Sequence, residues 1–109
     1  MSAKSEYDAA YFTLLRAREE REDLLRYAEF LEAEQERLEE FATQTRDGLD
    51  ALPRRVIRPI AATNKTVLEA VGRRRAAVLD ERRLMDQRLE NAARFVEECE
   101  LELETLRRA

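Results

Sequence analysis

Gly48-Leu-Asp-Ala-Leu-Pro-Arg-Arg-Val-Ile-Arg-Pro59 decides how this chain folds, because it holds both of its prolines and one of its two glycines. Pro53 and Pro59 lack an N–H and sit badly in a helix interior, while Gly48 suits a helix end. Pro59 fits better as an opening residue of a second helix, where the missing N–H belongs to a position that a helix leaves unpaired anyway. Leu49, Leu52, Val56 and Ile57 are too apolar for a free linker. The stretch therefore predicts a packed turn over about 48–58, with some helical character.

Before the turn, positions alternating by three and four residues read Tyr7, Ala10, Leu14, Ala17, Arg21, Leu24, Ala28, Leu31, Gln35, Leu38, Ala42, Thr45, Leu49 and Leu52, eleven of fourteen apolar. Side chains three and four apart share one helix face, so this is a continuous seam. After the turn, Asn64, Leu68, Val71, Arg75, Val78, Arg82, Met85, Leu89, Ala92, Val96, Cys99, Leu103 and Leu106 form a second seam, ten of thirteen apolar. Helix one is expected over about 6–47 and helix two over about 59–107. Tyr11, Leu25, Tyr27 and Phe41 flank the first seam, and Val67 and Phe95 the second, which gives stripes of bundle width. Gly72 costs about 1 kcal/mol relative to Ala and is expected to mark a close approach between helices.

A short connection favours an antiparallel hairpin, and charge favours the same arrangement. Residues 29–47 carry seven acids and two bases, and residues 59–77 one acid and four bases, so folding at the turn sets opposite charges side by side. The expected fold is all-α, one domain over 1–109: a long, coiled-coil-like antiparallel hairpin. A lone two-helix hairpin has little interior and would leave its flanking aromatics wet. Dimerisation into a four-helix bundle is therefore expected.

Composition excludes much chemistry. The chain has no His and one Cys among 109 residues, which removes a disulfide framework, Cys/His zinc sites and Ser-His or Cys-His catalysis. No nucleophile–base pair is in evidence, so an enzyme is not expected, and neither is a cofactor. No uncharged run approaches the roughly 20 residues of a membrane span. Met1-Ser-Ala-Lys-Ser-Glu6 has no apolar stretch of the signal-peptide kind, and a cytoplasmic location is expected. Glu97, Glu98, Glu100, Glu102 and Glu104 offer helical acid pairs. These read as a solvated face, since a bundle di-metal site normally includes Glu-x-x-His. Cys99 lies on the seam and reads as a small core residue.

Two sets of residues are candidates for function. At the turn, Arg46, Leu52, Arg54, Arg55, Val56, Ile57 and Arg58 combine guanidinium groups with apolar side chains, a pairing suited to phosphates or an acidic protein surface. Equally, they can cap the end of a bundle. Along the seams, Arg21, Gln35, Arg75 and Arg82 are polar at core positions, which usually fixes register or oligomer state at some cost in stability. Arg75 and Arg82 are expected to pair with Glu32, Glu36 or Glu39 across the hairpin. With no aromatic residues among these Arg and a net charge of −4, nucleic-acid binding is possible but not favoured.

Ser5-Glu-Tyr-Asp-Ala-Ala10 resembles a short stretch of the coiled-coil domain in the transcript-cleavage factors of bacterial RNA polymerase. Those factors carry an acidic hairpin tip and a second, globular domain, whereas the turn here is basic, so no residue role is transferred. The expected function is a non-enzymatic interaction or scaffold protein, acting through self-association and a helix-face or basic-tip contact with a protein partner. The alternatives are a hairpin-tip regulator of a larger machine such as RNA polymerase, a small secretion chaperone and, third, a nucleic-acid-binding helical protein.

Overall fold

The computed structural model describes residues 2–109. The chain is an all-α helical hairpin in which α1 spans Ala3–Asp50 and α2 spans Arg54–Arg108, with no strand among the described residues. Helix α1 begins before residue 6 because Ser2 caps it. The Ser5 N–H donates to Ser2 Oγ at 3.2 Å and the Glu6 N–H to the Ser2 carbonyl at 3.1 Å, pairing donors that a helix start leaves free. Glu6 adds a favourable charge in that first turn.

The turn is shorter than expected: Ala51–Pro53 in place of 48–58. Gly48 does not end α1. Its φ is not positive, nothing lies within 4 Å of where a Cβ would stand, and the helix runs through it. The break comes from Pro53, which disfavours helical geometry at Leu52. The Leu52 N–H bonds the Leu49 carbonyl at 3.0 Å and tightens the last turn. Pro53 then opens α2, its carbonyl accepting from the N–H groups of Val56 at 2.9 Å and Ile57 at 3.1 Å. Arg54–Arg58 are therefore helical, and Pro59 lies inside α2 rather than at its start. Pro59 forfeits only the bond to the Arg55 carbonyl, and both residues are exposed to water.

The chain divides into two compact units. The terminal unit joins α1 as far as Ala28 to α2 from Leu84 onward, and the turn unit is Glu29–Arg83. In the terminal unit Leu14, Ala17, Val96 and Cys99 form a buried cluster with Leu103 packed against it, and Ala10 and Met85 are buried as well. In the turn unit Leu31 and Val78 are buried, while Leu38, Ala42, Thr45, Leu49, Leu68 and Val71 are half-buried. All of these occupy the seam positions read from the sequence. Fully burying a side chain such as Leu14 or Leu31 contributes about 1.5–3 kcal/mol.

Candidate functional site

The turn residues do not form one cluster. Arg54, Arg55, Ile57 and Arg58 line a hollow with Ala61 on the opening turns of α2. Arg46 lies apart, in a cleft with Glu39, Ala42, Leu68, Gly72 and Arg75. Leu52 and Val56 are exposed, but Ile57 is half-buried because it continues the α2 seam one heptad before Asn64. The charges oppose the helix dipoles at both sides of the turn. The first turn of α2 holds no acid but carries Arg54 and Arg55, and the last turn of α1 holds no base but carries Asp47 and Asp50. Each such charge costs a few tenths to about 1 kcal/mol at an exposed helix end. Local rules broken in this way concentrate at functional positions.

Three of the four polar seam residues meet in the turn unit. Arg75 reaches Glu39 through Nη2 at 2.9 Å and Nε at 3.0 Å. The Gln35 Nε2 group donates to Glu39 Oε1 at 3.0 Å, and Arg82 Nη1 donates to Gln35 Oε1. One connected network thus ties both helices together. Hydrogen bonds from Gln35 and then Arg75, with the charges of Arg75 and Arg82, hold the Glu39 carboxyl below its usual pKa. Of the three expected acceptors only Glu39 is used; Glu32 and Glu36 face solvent. Arg21, in the terminal unit, is also exposed.

The sequence reading missed Glu34. It is half-buried, lies 2.8 Å from Arg37 on its own helix and 3.6 Å from Arg74 on the other. The hydrogen bond from Arg37, with the charges of Arg37 and Arg74, lowers its pKa against the opposing effect of desolvation. The three-residue spacing of Glu34 and Arg37 was the available signal. Arg37 also stands 6.0 Å from the Phe30 ring centroid, within cation–π range. In the terminal unit, Arg18 and Glu100 pair across the helices at 3.7 Å.

Cys99 is buried in the apolar cluster, and burial, followed by the charges of Glu102 and Glu98, pushes its thiol pKa up. It is therefore a poor nucleophile near neutral pH. Gly72 does not mark a close approach within the hairpin, since nothing lies within 4 Å of a Cβ built there. Among the described residues, no three His, Cys, Asp or Glu side chains converge as metal ligands, and no helix is long and apolar enough to cross a membrane.

Large apolar side chains are also exposed. Among the described residues fourteen large hydrophobic side chains are exposed, including Phe12, Phe30, Phe41 and Phe95, with Leu101 at 69% and Phe12 at 65% the most open. No family model, curated protein or solved structure matches this chain.

Proposed function

We propose that this chain is a non-enzymatic helical interaction protein of the cytoplasm that associates with itself and offers a helix face to a partner protein. The observation that supports this reading is the set of fourteen exposed large apolar side chains among the described residues. Single exposed hydrophobics are ordinary, but here all four phenylalanines of the chain are among them. Packing a second hairpin against this one covers such side chains and yields the four-helix geometry that wide stripes require. Light scattering at micromolar concentration tests it: the expected mass is at least twice the 12.8 kDa of the chain. A concentration-independent monomer contradicts it.

A second reading gives the basic end a role of its own, as the contact that a hairpin-tip regulator makes with an acidic surface. It draws on Arg54, Arg55 and Arg58 lining one hollow, two of them in the first turn of α2 against the helix dipole. Replacing all three by Ala is expected to preserve helicity and assembly mass while abolishing binding to the protein that co-purifies from the native host. If that binding survives, the tip reading fails. Band shifts with labelled DNA or RNA that weaken steeply with salt would instead favour a nucleic-acid partner.

A further inference from the structure

The two broad flanks of the turn unit differ in kind. The Arg74–Glu34 pair shows which sides of α1 and α2 lie together on one flank. On that side of α2, Val56, Ile60, Thr63, Val67, Ala70 and Ala77 recur at heptad spacing, and all six are exposed. This is a second stripe of the kind that forms a helix seam, separate from the one facing α1. One heptad from Glu34 toward the turn, the exposed Phe41 falls on the same flank of α1. From Val56 to Ala70 the stripe carries no charge, and the first charge beyond it, Arg74, is tied to Glu34. The opposite flank carries Arg55, Arg58, Lys65 and Glu69 on α2 and Glu29, Glu32 and Glu36 on α1, all exposed.

We propose that the flank of the turn unit bearing this uncharged stripe, with a two-fold axis near Ala70, is the surface through which two copies of this chain associate. The assignment rests on the self-association reading above and gives it a face. A two-fold contact presents the same patch from both sides, so a charge near the axis meets its own duplicate. The stripe from Val56 to Ala70 has none to meet. With the axis near Ala70, each copy's Arg74 faces the other copy's Thr66–Val67 stretch and not its own mate. Thr63, Ala70 and Ala77 alternate with Ile60 and Val67, which suits close helix approach at 8–10 Å. The part of the stripe that overlaps its own copy about Ala70, Thr63–Ala77, is about 22 Å long and with two helix diameters gives roughly 450 Å² per copy, a little over half of the ~800 Å² per partner of a standard interface.

Sedimentation equilibrium on the full chain tests this with matched alanine substitutions. The pair Ala70→Glu with Ala77→Glu lies on the proposed flank. The pair Ala62→Glu with Ala76→Glu adds the same charge to exposed positions of the same helix on the opposite flank. The first pair is expected to weaken dimerisation at least tenfold and the second by less than threefold, with unchanged helical circular dichroism in both. Mixing the single variants Ala70→Glu and Ala70→Lys is expected to restore dimer that each lacks alone, which a folding defect would not do. A dimeric wild type with the second pair the more damaging, or with no rescue on mixing, overturns the choice of face and leaves self-association standing. A monomeric wild type removes both.

Discussion

The terminal unit is held by apolar burial and the turn unit by a polar network. Around Leu14, Ala17, Val96 and Cys99 the seam excludes water, and the cross-helix Arg18–Glu100 ion pair lies among exposed side chains. In the turn unit burial is limited to Leu31 and Val78, and Gln35, Glu39, Arg75 and Arg82 bridge the helices instead. The same heptad pattern runs through both, so the contrast follows from which residues occupy it. Apolar side chains give depth but tolerate small slips along the axis. Directional hydrogen bonds give little depth but favour one register.

The largest expected effect lies in the terminal unit. Leu14→Ala should cost about 2–4 kcal/mol, because it opens a cavity in a closed cluster. Leu38→Ala, at a half-buried turn-unit position, should cost roughly half as much, since less apolar area is lost. Urea denaturation measures both, and equal costs would erase the contrast.

Acid should act on the turn unit first. Glu34 and Glu39 both have lowered pKa values, so their contribution is present above the unfolded carboxylate pKa. It is lost as pH falls through the lowered folded values. Both groups are exposed to solvent screening, so the effect is modest. Hydrogen exchange during acidification should show turn-unit amides opening while those around Leu14 and Val96 stay protected. Simultaneous opening would contradict this.

The smallest changes are stabilising. Gly48→Ala and Gly72→Ala should each add about 0.5–1 kcal/mol, since both glycines are helical with open space at Cβ. Thermal melts check this, and a loss at Gly72 that appears only in the oligomer would place a second copy against it.

Heptad arithmetic placed Leu14, Leu31, Val78 and Val96 in the interior because side-chain periodicity is a local property of a helix. It also found Gln35, Arg75 and Arg82 as polar seam residues and Glu39 as an acceptor. It could not choose Gln35 over Glu32 or Glu36 for Arg82, because the sequence fixes helix faces but not the axial stagger between them. Glu34 escaped for the same reason, lying just off the seam where a long Arg74 side chain still reaches it. The turn was drawn too wide because Gly48 and Pro59 were both weighed as breakers, whereas Pro53 alone ends one helix and starts the next. Arg54, Arg55 and Arg58 consequently belong to a helix start and not to a loop.

Hydrogen exchange at about 0.1 M and then 1 M sodium chloride tests the division between the two units most directly. The Debye length shrinks from ~10 Å to ~3 Å over that range. Exchange should accelerate for amides around Gln35–Glu39 and Arg75–Arg82 and stay unchanged around Leu14–Ala17 and Val96–Cys99. Equal acceleration in both regions, or none in either, would contradict the account.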